Sequence, residues 1–261
     1  MLFLRAILRL VRFSTSLLCV LAIFLPLLAR TKNLVLSISE AIPLLFICMC
    51  TFIANDLDDI ERDRVNHPDR PLPAGHLTEE FAAIFFFVSL GLALFSTRYF
   101  VPQDIAFWYY TLIILTISYR YAVAFLPSVK TLYTAVASSV PLLLIATSYP
   151  HEQKLRVAAA SVFLFILARE ICGDLQDRAG DPVSIMHRFS PLSLALAAFV
   201  LQVLGLVLLA FQTSNRGDLI ALISMTVLLT LSGVYWFKLA SYRRATLLMK
   251  IQLFVGLYFL F

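Results

Sequence analysis

Apolar residues in this chain fall in long runs rather than in the narrow stripes of a soluble fold. A helix that crosses a hydrocarbon slab needs roughly 20 mostly apolar residues. Runs of that kind predict spans at 13–29, 34–54, 79–97, 105–119, 132–149, 156–173, 191–213, 217–236 and 245–261. The expected fold is all-α, a polytopic membrane protein with nine transmembrane helices. Little chain is left between them, so a single domain over 1–261 is expected, with no sizeable soluble part.

The first twelve residues carry a different pattern. Arg5, Arg9 and Arg12 recur at i, i+4 and i+7, with Leu, Ile and Val between them. That predicts an amphipathic helix over 1–12, lying on the inner membrane surface. No convincing small-residue cleavage site follows the first apolar run, so it does not read as a removable signal.

Composition agrees with the pattern. Of 261 residues, 61% are hydrophobic and 14% are charged, against about 45–50% and about 25% in ordinary globular domains. This excludes a soluble enzyme, a disordered chain and a disulfide-rich secreted module. The net charge of +5 does not point to nucleic acid, because cytoplasmic loops give membrane proteins that sign. Cys19, Cys48, Cys50 and Cys172 lie in apolar segments. They read as packed thiols, since Cys48-x-Cys50 has no second pair to complete a zinc site.

Basic residues set the expected orientation. With the N-terminus in the cytoplasm, fourteen fall on that side: Arg5, Arg9, Arg12, Arg62, Arg64, Arg70, Arg120, Lys130, Arg169, Arg178, Arg188, Lys238, Arg243 and Arg244. Six fall on the other: Arg30, Lys32, Arg98, Lys154, Arg156 and Arg216. The positive-inside rule favours this arrangement.

Acidic residues are more informative. Ten of the sixteen sit in two short places. Asp56, Asp58, Asp59, Glu61, Asp63 and Asp69 follow the second span, and Glu170, Asp174, Asp177 and Asp181 close the sixth. Four spans separate the clusters, so both face one side. Asp56, Asp59 and Asp63 are spaced i, i+3, i+7, and Asp174, Asp177 and Asp181 repeat that spacing 118 residues later. On a helix each set forms one stripe. Carboxylates this close at a membrane edge persist only with partners. Solvated helix ends paired with Arg62, Arg64 and Arg178 would explain one such stripe. Two identical stripes on one side favour divalent cations, and Mg²⁺ suits carboxylate and amide oxygens while keeping positions for phosphate. Asn55 adds an amide oxygen four residues before Asp59.

Arg62, Arg64, Arg70, Lys130 and Arg169 lie near these stripes. Arg forks phosphate and Lys offers a point charge. Arg64, Lys238, Arg243 and Arg244 read better as topology anchors. Carboxylates for metal, bases for diphosphate and an apolar body suit a substrate with a diphosphate head and a hydrocarbon tail.

The residues also match a family pattern. Asn55 to Asp63, NDLDDIERD, resembles the NDxxDxxxD motif of the UbiA superfamily of intramembrane prenyltransferases. Asn66 to Gly75, NHPDRPLPAG, resembles that family's N-x-P-x-R-P-L-P-x-G loop. Arg169-Glu170 through Gly180-Asp181 is similar to its second motif. The resemblance implies nine helices around a central cavity. It places the motif loops, 55–78 and 174–190, facing each other at the cytoplasmic mouth. It implies Mg²⁺ as cofactor and an isoprenyl diphosphate as substrate. Ionisation would give an allylic cation, attacked by a lipophilic acceptor, aromatic or lipid. Asn55, Asp56, Asp59, Asp63, Asp174, Asp177 and Asp181 carry over as the metal set, with Asp59, Asp63, Asp177 and Asp181 central to catalysis. Arg70, Lys130, Arg169 and Arg12 carry over toward the diphosphate. Tyr119 and Tyr133 are candidates to face the cation, although packing or an interfacial belt also explains them.

Three stretches depart from the family. Arg12 is followed by Phe13, Ser14 and Thr15, without the family's proline and asparagine. No Asn occurs from Lys130 to Val140. The segment 182–191, PVSIMHRFSP, lacks a Thr-Leu-Pro. The diphosphate apparatus is intact, and the stretches that often help hold the acceptor are altered. A UbiA-type terpene cyclase, which needs no acceptor, is the alternative reading. A cation transporter is a third, disfavoured because the acids sit at helix ends beside phosphate-type bases rather than at midplane.

Overall fold

The computed structural model describes residues 2–125, 130–148, 153–176, 188–237 and 241–256. They form eleven helices: α1 (Leu2–Leu10), α2 (Phe13–Thr31), α3 (Leu34–Asp58), α4 (Ile60–Asn66), α5 (Glu79–Phe100), α6 (Gln103–Phe125), α7 (Lys130–Ser148), α8 (Gln153–Gln176), α9 (Pro191–Ala210), α10 (Arg216–Phe237) and α11 (Tyr242–Gly256). Each expected span overlaps one helix within the described residues, with 149 and 257–261 lying outside them, and α1 covers most of the expected amphipathic segment. Five helices, α2, α3, α5, α9 and α10, are long and apolar enough to cross a membrane. The search for such helices covers the described residues only. α8 carries Lys154, Arg156, Arg169, Glu170 and Asp174, and α11 is described over only 15 residues.

Two compact units divide the chain, Met1–Phe125 and Leu126–Phe261. In the first, α3 is the hub and packs on α2, α5 and α6. Its C-terminal end joins a core of Ala6, Leu10, Val11, Ile53, Ile60, Leu72, Leu77 and Ala82. Thus α1, the end of α3 and the following loop share one apolar cluster. Farther along α3, the Tyr109 hydroxyl donates to the Glu40 carbonyl oxygen at 2.5 Å. Glu40 itself, for which the sequence suggests no partner, is buried.

In the second unit α8 is the hub and packs on α7, α9 and α11. Gly205 on α9 lets α8 come close, because a Cβ there would lie 2.9 Å from the Phe165 ring. Ala168, Ile171, Cys172 and Leu175 of α8 pack with Ala195 and Ala198 of α9. Small residues at such contacts allow helices to approach where lipid offers no hydrophobic drive. Each hub therefore ends at one acidic motif: α3 at Asp56 and α8 at Asp174.

Candidate active site

The N-terminal motif begins where α3 ends. Asp59 caps α3 at φ −99°, ψ 6°, so the helix breaks there. The hydrogen-bond ladder nevertheless passes through the break. Asp59 N–H donates to Asn55 O at 3.0 Å, and Asp63 N–H donates to Asp59 O at 2.7 Å. This i to i−4 continuity preserves the expected stripe of Asp56, Asp59 and Asp63.

Each carboxylate on the stripe meets a guanidinium. Arg12 Nη2 donates to Asp56 Oδ1 at 2.8 Å. Arg70 Nη1 donates to Asp63 Oδ2 at 2.5 Å and lies 3.6 Å from Asp56 Oδ1. Arg62 donates to Asp59 Oδ1, and Asn55 Nδ2 donates to Asp59 Oδ2 at 3.2 Å. The side chains of Asp56 and Asp63 are only 4% and 6% exposed. Such burial is tolerable only for compensated charge.

Local structure explains how the arginines arrive. Arg12 separates α1 from α2 in the left-handed conformation, φ 43°, ψ 52°. That backbone costs a non-glycine residue roughly 1–2 kcal/mol. It is held by Ser16, whose hydroxyl donates to Val11 O at 2.8 Å, and by burial of Leu10 and Val11. The Arg12 guanidinium then lies over the Phe52 ring, 5.0 Å from its centroid. Arg70 starts a tight loop, in which Ala74 N–H donates to Arg70 O and His76 N–H to Pro71 O, both at 2.9 Å. Gly75 takes φ 69° to close it, a region that favours glycine. Leu72 and Leu77 anchor the loop in the apolar cluster.

The electrostatics follow from this burial. Desolvation raises the Asp63 carboxyl above its ordinary value, Arg70 opposes the rise, and Asp56 and Asp59 add to it. At the loop's exposed edge, the hydrogen bond from Arg9 lowers Asp69. The Arg9–Asp69 pair, at 2.6 Å, ties the amphipathic helix to the motif loop. Periodicity placed Arg9 on a charged stripe and gave no sign of this partner. Arg64 pairs with Glu61 at 2.7 Å on the surface, as suits an anchor.

The C-terminal motif lies at the other hub. Lys130 Nζ is 3.9 Å from Asp174 Oδ1, and the Thr131 hydroxyl donates to Asp174 Oδ2 at 2.6 Å. Thr131 was not among the sequence candidates. Arg169 pairs with its neighbour Glu170, while its buried Nε has no hydrogen-bond partner among the described atoms. Asp177 and Asp181 lie outside the described residues. Tyr119 is on α6 and Tyr133 on α7, both half-buried.

Among the described residues no group of three His, Cys, Asp or Glu side chains gathers to hold a metal ion. Mg²⁺ requires no such cage, since it binds one or two carboxylates and keeps waters and substrate phosphates. The N-terminal stripe fits that habit. Asp56 and Asp63 share one base, Arg70, and Asp63 is a buried carboxyl whose charged form a cation would favour.

Comparison with known proteins decides the family. The profile of the UbiA prenyltransferase family matches residues 16–258. The chain belongs to this family. A digeranylgeranylglyceryl phosphate synthase of Sulfolobus acidocaldarius is 27% identical over 158 residues, covering 54% of this chain and 52% of the relative. The match thus spans about half the length of that curated relative. Among solved structures, the apo structure of a UbiA homolog from Aeropyrum pernix K1 is 14% identical with a TM-score of 0.74, covering 93% of this chain and 96% of that one. A UbiA homolog from Archaeoglobus fulgidus bound to DMAPP and Mg²⁺ is also 14% identical, with a TM-score of 0.69, covering 97% and 98%. These likenesses show the UbiA fold.

Proposed function

We propose that this protein is a Mg²⁺-dependent intramembrane prenyltransferase that moves an isoprenyl group from its diphosphate to a lipid acceptor. The observation that carries the reading is the charge-matched stripe of Asp56, Asp59 and Asp63 with Arg12, Arg62 and Arg70, in a chain of this family. The proposed metal-holding residues are Asn55, Asp56, Asp59 and Asp63 of the first motif with Asp174, Asp177 and Asp181 of the second. Mg²⁺ bound there would neutralise the leaving diphosphate as its charge develops.

The chain's own residues supply the rest. Arg12 and Arg70 are already paired with buried carboxylates. Once a cation takes over those carboxylates, both forks can turn to the diphosphate. Lys130 and Arg169 are the further bases proposed for the diphosphate. Apolar helix faces would shelter the isoprenyl tail and exclude water, which would protect an allylic cation from hydrolysis. Tyr119 and Tyr133 offer ring faces to that cation. The N-terminus and both motifs face the cytoplasm. The Sulfolobus relative's name favours a glyceryl phosphate lipid over an aromatic acceptor.

The test uses purified protein in detergent with Mg²⁺, isoprenyl diphosphates of several lengths and a prenylated glyceryl phosphate. Diphosphate release that depends on the acceptor, with a doubly prenylated product, is the expected result. Cyclic hydrocarbon formed without acceptor would replace the transferase reading by the cyclase. Substrate that survives under all conditions would overturn both.

A further inference from the structure

The two units repeat one construction. Asp174 follows Asp56 by 118 residues, and Lys130 follows Arg12 by the same interval. In each unit a base at the start of one helix reaches the first aspartate of the motif, 44 positions onward in the case of Arg12. The two versions differ in chemistry. Arg12 approaches Asp56 at 2.8 Å, with Arg70 at 3.6 Å on the same oxygen. A guanidinium fork fixes both distance and direction. Lys130 stands 3.9 Å from Asp174 Oδ1, and an ammonium on a flexible stem fixes neither.

Thr131 supplies what lysine lacks. Its hydroxyl donates to Asp174 Oδ2 at 2.6 Å. Thr131 is 7% exposed, and its branched Cβ restricts the χ1 angle in a helix. The terminal torsion of aspartate is broad and two-fold, so a short hydrogen bond to Oδ2 narrows the orientations open to the Asp174 carboxylate beside the lysine. With Oδ2 held, Oδ1 is the oxygen turned to Lys130. Phe13 occupies the corresponding place in the first unit and has no donor, as the Arg12 fork requires none.

We infer that Thr131 is a positioning residue, which orients Asp174 for the cation and diphosphate of the proposed reaction. The inference rests on that reading of the site. Its test is binding of Mn²⁺, as a spin probe for Mg²⁺, to the full chain in detergent with inorganic pyrophosphate. Electron paramagnetic resonance reads the free ion. Thr131→Val keeps the shape and removes the donor, and its Mn²⁺ affinity should fall by about tenfold, in line with loss of a hydrogen bond to a charged group. The KM for isoprenyl diphosphate should rise with it. Thr131→Ser restores the hydroxyl and should bind within about twofold of the parent protein. Thr131→Ala is a second donor deletion, and thermal unfolding identifies any variant that fails to fold. Parent-like Mn²⁺ affinity in both folded donor deletions would overturn the positioning role alone, as would a serine variant as weak as the valine one. A parent protein that binds no Mn²⁺ with pyrophosphate would overturn the metal reading itself.

Discussion

At the residue scale the first motif is a row of carboxylates, Asp56 and Asp63 buried, each paired with a guanidinium. Asp59 is the central member of its stripe and is contacted by both Arg62 and Asn55. Asp59→Ala should lower kcat by at least about a hundredfold, the scale of losing one preorganised electrostatic stabiliser. A turnover assay with radiolabelled isoprenyl diphosphate measures this, and near-parental activity would remove Asp59 from the site. Arg12→Lys separates charge from geometry. Lysine keeps the charge but loses the fork on Asp56 and the planar contact with Phe52. The KM for the diphosphate should rise by about tenfold with a smaller change in kcat. An unchanged KM would make Arg12 an anchor of the α1–α2 junction only. The carboxylate stripe was legible in the sequence because i, i+3, i+7 spacing survives even the break at Asp59. The partners of the stripe were less so. The left-handed Arg12 backbone depends on packing around Leu10 and Val11, and Thr131 reaches Asp174 across 43 positions, which local periodicity cannot express.

At the element scale the first motif depends on pieces that carry no chemistry. α1 was readable as amphipathic, but its docking was not, because Ala6 and Leu10 resemble any other apolar face until Ile53, Leu72 and Leu77 are placed beside them. Two substitutions separate its contacts. Arg9→Ala removes the pair with Asp69, whose side chains are 41% and 76% exposed. Such surface pairs contribute about 0–1 kcal/mol, so thermal unfolding in detergent should barely move. Leu10 is fully buried, and Leu10→Ala should destabilise by about 2–5 kcal/mol. If α1 seats Arg12 through this packing, Leu10→Ala should also raise the KM for diphosphate. Equal stability of the two variants would show that α1 is held by charge rather than by its apolar face. The same logic applies to the motif loop, where Leu72 and Leu77 hold the backbone from which Arg70 extends.

At the scale of the whole molecule, orientation is where the charge distribution makes its sharpest demand. Helix positions were legible because a hydrocarbon slab imposes one simple rule on length and polarity. The charged hub α8 is harder to read, since Arg169, Glu170 and Asp174 interrupt its apolar run. Ionisable groups in such a segment are candidates for function. In the orientation proposed from the fourteen-to-six distribution of basic residues, both motifs would face the cytoplasm, where a soluble diphosphate head would be supplied. His76 is exposed on the first motif loop, and Lys32 is exposed in the turn between α2 and α3. His76→Cys and Lys32→Cys place single accessible thiols beyond opposite ends of α3, while Cys19 and Cys48 are half-buried and Cys50 and Cys172 buried within helices. A membrane-impermeant maleimide added to intact cells should label Lys32→Cys and spare His76→Cys until the membrane is opened. The reverse pattern would put the diphosphate site on the outer face and would require the substrate to be delivered from there.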